Sequence, residues 1–254
     1  MVARPKFPFE KFFSICERHR WKMDTDVDWD SIQRDLVSPL ELETLHQAAL
    51  VEGFSPTYAA DLLDLYCDDP EMGSFLSIQF YEEYKHFHAL RRYLRLNGIE
   101  ISDEEAVRGH ENRTKYTQKL IPVIKFGVSE IFTAIFYRNI SASTNEPVLK
   151  QLAHFISQDE YRHLGFYLSY LDWLVKTEGI TVDEVNHALA RYQHQGLDAI
   201  DTWVDFWNNN GRRYTGVEPY LVLQSNLNRI VGKGTRLRRL ARQTSRREMA
   251  AKFQ

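Results

Sequence analysis

One ordering of acids and histidines limits this chain more tightly than any other feature of its 254 residues. Glu52 stands 31 residues ahead of the Glu83-x-x-His86 pair, and Glu130 stands 30 ahead of the Glu160-x-x-His163 pair. A carboxylate on one helix followed by Glu-x-x-His on the next, given twice, is the ligand pattern of a four-helix bundle built round two metal ions. It requires that all six side chains point inward. Helical residues advance by about 100° each, so the face of every ligand is read from its neighbours. Glu52 shares its face with Leu42, Leu45, Ala49, Pro56, Ala59 and Leu63, and Glu83 with Leu76, Phe80, Phe87, Leu90 and Leu94. Glu130 lies among Val123, Phe126, Gly127, Ala134 and Tyr137; Glu160 lies among Leu149, Ala153, Ile156, Leu164, Tyr167 and Leu171. Each His is about 60° round from its Glu, so the two reach one point.

A single Glu-x-x-His pair would carry little weight. With 9 His among 254 residues, chance supplies about one such pair, and the chain holds two more, Glu43/His46 and Glu184/His187. Position separates them. Glu43 points away from the apolar stripe of its helix, and Glu184 follows Thr181 at the spacing of a capping box. The specific signal is the doubled order, with every member on an apolar face.

Electrostatics turn that geometry into a metal expectation. An ionised carboxylate withdrawn from water costs several kcal/mol even after relaxation, so four together would consume a net stability of about 5–15 kcal/mol. Two divalent cations balance four carboxylates, and two imidazoles add neutral nitrogen ligands. Iron is the expected metal and manganese the alternative, since oxygen-rich sites with two His suit both.

The rest of the chain reads as one all-α domain, a ferritin-like four-helix core with flanking helices, and no segment has strand periodicity. Residues 1–37 form an N-terminal arm with a short helix over Pro8 to His19 and two tryptophans, Trp21 and Trp29, that anchor it. The bundle domain spans 38–231 and a basic tail 232–254. Ser38-Pro39-Leu40-Glu41 opens the first long helix with a capping box, and the helix runs to about Tyr66 with a kink at Pro56. Asp69-Pro70 opens the second and Asn97-Gly98 closes it; a charged crossover follows from Ile99 to about Thr114. The third helix covers roughly Lys115 to Ile140, the fourth runs from Asn145-Glu146-Pro147 to Gly179, and a fifth runs from Thr181 to Trp207. Cys16 and Cys67 make no disulfide framework, no window reaches 18 apolar residues, and Met1 to Glu10 lacks a signal-peptide core. A cytoplasmic protein without a membrane span is expected.

The ligand segments resemble those of the soluble acyl-carrier-protein desaturases, over roughly Ser38 to Leu174. Glu52 is followed by Pro56-Thr57-Tyr58, similar to that family's Glu with Pro-Thr-Tyr four residues on. Glu82-Glu83-Tyr84-Lys85-His86 resembles its Glu-Glu-x-x-His, Glu130-Ile131-Phe132-Thr133 its Glu-x-x-Thr, and Asp159-Glu160-Tyr161-Arg162-His163 its Asp-Glu-x-Arg-His. The resemblance implies a role in oxygen handling for Thr133 and support of a ligand His by Asp159, with Trp21 or Trp29 completing that relay. Read from the residues alone, the Thr133 hydroxyl is equally a donor to the carbonyl of Ser129 or Glu130.

The implied activity is O2-dependent removal of hydrogen from an unactivated C–H bond, with desaturation of an acyl chain carried by acyl carrier protein as the leading expectation. An external donor such as ferredoxin would supply electrons, and the resemblance implies a homodimer. Two rivals stand beside it: a di-iron oxygenase that hydroxylates carbon or oxidises an amine, and an iron-storage protein. Phe80, Phe87, Phe126, Phe132, Tyr137, Phe166 and Tyr167 either line an acyl slot, with Gly127 opening room beside Glu130, or simply fill the core. Seven basic residues, among them Lys233, Arg236, Arg238, Arg239 and Arg242, lie between 233 and 247 with no acid. They read as a solvated tail or as a docking surface for an acidic partner; no nucleic-acid motif accompanies them.

Overall fold

The computed structural model describes residues 9–108, 110, 115–191, 214–235 and 237. Helix α1 covers Phe9–His19, α2 Pro39–Glu52, α3 Pro56–Leu65, α4 Pro70–Leu96, α5 Asp103–Ala106, α6 Leu120–Ser143, α7 Pro147–Glu178, α8 Val182–Arg191 and α9 Glu218–Val231. Two 3-10 turns, Trp29–Ser31 and Arg34–Leu36, lie between α1 and α2, and no strand occurs among the described residues.

The caps explain most of the boundaries. Ser38 and Glu41 form a reciprocal capping box on α2, Asp69 accepts from Met72 N at 3.0 Å to start α4, and Glu146 accepts from Leu149 N at 2.6 Å to start α7. Gly179 ends α7 in the left-handed conformation, at φ 71°, where a side chain would be strained. Thr181 and Glu184 exchange hydrogen bonds at the start of α8, so Glu184 has the capping role expected of it. The fifth helix is described only to Arg191, and its expected end near Trp207 lies outside the described residues.

Two boundaries differ from expectation. The first long helix breaks instead of kinking: Pro56 cannot donate, and α2 ends at Glu52 with a turn before α3. Crossing that turn resets the helical phase, so Leu62 is buried while Leu63, placed inward by a continuous wheel, is 41% exposed. The third helix begins at Leu120 rather than near Lys115. Pro122 tolerates only a first-turn position, which a start at Lys115 would deny it.

Two apolar clusters define the bundle. One joins the N-terminal half of α4 (Phe75, Leu76) to Leu62 of α3, Ile124 and Ile131 of α6, and Leu171 and Leu174 of α7. The other joins the C-terminal half of α4 (Leu90, Leu94) to Leu45 and Ala49 of α2, Ile140 of α6, and Leu149 and Ile156 of α7. The order in which each helix visits the clusters makes α4 and α6 parallel, with α2–α3 and α7 antiparallel to them. A parallel pair needs a long crossover, and residues 97–119 supply it. The six expected ligands fall between the two clusters, at mid-length of the bundle. Helix α6 is long and apolar enough to cross a membrane by length and composition, yet most of it is buried, chiefly against α7.

The arm folds back onto the bundle. Trp21 and Val27 are buried in the second cluster, Phe12 of α1 meets Phe75 and Phe166 edge-on, and Arg92 stacks on Trp29 at 4.4 Å.

Candidate metal centre

Glu52 comes from the end of α2, Glu83 and His86 from α4, Glu130 from α6, and Glu160 and His163 from α7. All six are buried, and both His are fully so. One ligand atom each from Glu52, Glu83, His86 and Glu160 lie within 4.8 Å of one another, as do one each from Glu83, Glu130, Glu160 and His163. Glu83 and Glu160 belong to both groups. The arrangement is therefore two adjoining positions with two shared carboxylates, each completed by one carboxylate and one imidazole of its own.

The imidazoles identify the atoms that face the centre. His86 Nδ1 lies 3.2 Å from Glu160 Oε1 and 3.4 Å from Glu52 Oε2; His163 Nδ1 lies 3.1 Å from Glu130 Oε2 and 3.6 Å from Glu83 Oε1. Their Nε2 atoms point outward, His86 to Asp159 at 2.9 Å and His163 to Glu82 at 2.9 Å. A carboxylate accepts only, so each Nε2 carries a proton, and with a cation in place of the proton on Nδ1 the neutral ring would present that lone pair inward. Two observations fit a cation in this place: the inner atoms are all lone-pair donors, and His86 Nδ1 and Glu160 Oε1 are buried without a hydrogen-bond partner.

Behind the histidines lies a compensated layer. Lys85 Nζ is 3.1 Å from Asp159 and 3.8 Å from Glu82, and Arg162 contacts Glu82 at 3.3 Å and Asp159 more closely. Two acids and two bases cancel, leaving the inner four carboxylates as the uncompensated charge. Trp21 donates to Asp159 Oδ2 at 2.8 Å, and Lys85 sits 4.4 Å over the Trp21 ring. Trp21 is thus the tryptophan that meets Asp159, while Trp29 donates to the carbonyl of Met23.

The electrostatics of the cluster carry the same tension. Burial, then the neighbouring carboxylates, pushes Glu83 and Glu130 well above the usual carboxylate range. Burial also opposes ionisation of Asp159, Glu160 and Glu82, but hydrogen bonds and cationic neighbours outweigh it and hold all three low. Burial lowers the imidazoles, yet the surrounding acids raise both His86 and His163 well above the ordinary histidine value. With protons as its only counter-charges, the cluster cannot ionise fully; cations remove that restriction.

Residues not anticipated as site members hold the two outer carboxylates. Tyr137 donates to Glu52 Oε1 at 2.6 Å, and Gln79 donates to Glu130 Oε1 at 2.9 Å while accepting from Tyr167 at 2.7 Å. The inward-facing Tyr137 and Tyr167 needed partners, and these are they. Glu82 was legible through the internal repeat, because it precedes Glu83 as Asp159 precedes Glu160. Gln79 left no such signal. Thr133 is only partly buried, and its hydroxyl donates to Ser129 O at 3.1 Å, the local alternative for that residue. Gly127 lies where α6 meets α7, and a Cβ there would stand 3.4 Å from Tyr167 Cβ, at ordinary contact distance. Of the basic tail, Lys233 is described and exposed, while Arg236, Arg238, Arg239 and Arg242 lie outside the described residues.

No family model matches the chain, and no curated protein matches it in sequence. In fold it is similar to the X-ray structure of the "putative acyl-ACP desaturase DesA2" from Mycobacterium tuberculosis, with TM-score 0.64 and 20% identity, over 90% of this chain and 93% of that one. The chain therefore has a desaturase-like, ferritin-type helical fold with buried Glu/His clusters able to hold metal ions.

Proposed function

We propose that the protein is a di-iron, O2-dependent oxidoreductase that removes hydrogen from an unactivated C–H bond, with a fatty acyl thioester on a carrier protein as its substrate and desaturation as its outcome. The observation that carries the reading is the pair of ligand groups sharing Glu83 and Glu160. The fold likeness supports the acyl substrate, since the similar structure is described as a "putative acyl-ACP desaturase". When bound, two ferrous ions would supply two electrons to O2 together, and an external donor such as a ferredoxin would restore them.

The chain's own residues set the conditions for that chemistry. Asp159 and Glu82 keep the proton on the outer nitrogen of each imidazole, so the inner nitrogen is free to bind. Lys85 and Arg162 hold those two acids ionised in the dry interior. The apolar clusters above and below exclude water from the centre, which protects a reactive oxidant from quenching. For Thr133 to serve oxygen or protons at the centre, as the family resemblance implies, its hydroxyl would first leave the Ser129 carbonyl.

The test begins with anaerobic loading of ferrous ion, for which two equivalents per chain are expected. Reduced protein is then exposed to air with acyl thioesters, carrier-bound and free, and products are weighed by mass spectrometry. Loss of two hydrogens supports desaturation. Gain of one oxygen would replace it with oxygenation, and iron oxidation without organic product would replace it with storage.

A further inference from the structure

Glu52 and Glu130 each turn one oxygen to the centre and have the other held by a neutral donor outside it. Glu52 presents Oε2 toward His86 Nδ1 at 3.4 Å while Oε1 accepts from the Tyr137 hydroxyl at 2.6 Å. Glu130 presents Oε2 toward His163 Nδ1 at 3.1 Å while Oε1 accepts from the Gln79 amide at 2.9 Å. The Gln79 orientation is set at its far end, where Tyr167 donates to its carbonyl oxygen at 2.7 Å and leaves only the NH2 group for Glu130. Both donors come from the bundle interior: Tyr137 is 1% exposed and so is Gln79. The two positions are thus treated alike by different residues, one from α6 and one from α4.

Resting on the two-metal reading above, the geometry points to Tyr137 and Gln79 as positioning residues that restrict Glu52 and Glu130 to one ligand atom each. Each ion then receives one oxygen from its own glutamate, one Nδ1, and one oxygen from each shared glutamate. That is four protein ligands, whereas oxygen-rich iron and manganese sites take up to about six. Up to two positions on each ion would then be left for small exogenous ligands such as O2. A glutamate released from its hydrogen bond would be free to chelate through both oxygens and fill one of those positions. A carboxylate oxygen engaged by a phenol or an amide is directed along that bond, and rotating it to the metal would leave a buried donor unsatisfied.

Cobalt(II) reports this directly, because its visible d–d bands weaken stepwise as coordination rises from four through five to six. Wild-type protein titrated anaerobically should take two cobalt ions per chain and show strong bands. Tyr137→Phe should weaken the bands of one ion, Gln79→Leu those of the other, and the double variant those of both, with two ions still bound. Carboxylate stretching bands of wild-type protein, read as the loaded-minus-free infrared difference after labelling glutamate with 13C, give a second measurement that needs no variant to fold. A wide splitting from one-oxygen ligands is expected alongside the bridging bands. Narrow splittings of chelating carboxylates alone, or band intensities unchanged in both single variants at two cobalt per chain, would overturn the assignment while leaving the metal centre standing. Fewer than two ions in the wild type would instead overturn the two-metal reading.

Discussion

Asp159 shows how much a single side chain behind the ligands does. One of its oxygens meets Trp21, His86 and Lys85, at 2.8, 2.9 and 3.1 Å, and the other meets Arg162. It fixes the ring of His86 and ties the N-terminal arm to the centre at once. Glu82 does the same for the ring of His163, without a tryptophan. Partners of this kind are worth about 10–100-fold in metal affinity. Asp159→Asn should therefore weaken the ion beside His86, and Glu82→Gln the ion beside His163, each by about that factor; competition against a chromophoric chelator measures both, and equal loss at both positions in either variant would contradict the assignment. Cys16, on α1, reports whether the arm stays docked. Burial, with the charge of Glu82 adding to it, pushes its thiol up to about 11. At pH 8 a thiol alkylating reagent should label exposed Cys67 and spare Cys16, as peptide mass spectrometry will show. Equal labelling would mean that α1 opens readily.

At the scale of helices, the glycines separate propensity from packing. Gly165 lies inside α7, exposed, and a Cβ added there would have nothing within 4 Å, so Gly165→Ala should raise stability by about 1 kcal/mol. Gly53, at the break between α2 and α3, is different. A Cβ there would stand 3.1 Å from the Phe87 ring, so Gly53→Ala should lower the melting temperature unless that ring yields. Thermal melts of the two variants decide it, and stabilisation by both would show that the α2–α3 turn is loosely packed. The same turn explains where reading the sequence failed. Caps such as Ser38, Asp69 and Glu146 announce themselves through local chemistry, and the helices they open begin where expected. A broken helix keeps no common phase, so Leu63 was placed inward although the structure turns it out. The late start of α6 has a local cause in Pro122, whereas the role of Gly127 depends on α7, which a single helix does not reveal.

For the whole molecule, charge balance at the centre couples metal, protons and fold. Glu83, Glu130, His86 and His163 are all raised, so in the metal-free protein they stabilise the fold below their ordinary values and lose that contribution as pH climbs through the raised ones. Asp159 and Glu82 are held low and contribute in the opposite sense, losing their share on acidification. Cations must displace the protons on the raised groups. Loading at pH 6 should therefore release protons into weak buffer, and affinity should rise with pH; calorimetry in buffers of different ionisation enthalpy measures the release, and its absence would refute the proton-balanced cluster. Loaded protein should also melt higher, by about 2.7 kcal/mol in stability for each ion at a hundredfold excess over its dissociation constant. The six acids and histidines that meet at the centre, the all-helical fold and the crossover after α4 were written in residue order, because helical period and caps are local and a repeated motif carries its own register. Only the tertiary structure decided which tryptophan meets Asp159 and that Gln79 and Tyr137 hold Glu130 and Glu52. Those are meetings between side chains tens of residues apart, fixed by how helices pack across the bundle, and nothing in a linear spacing encodes them.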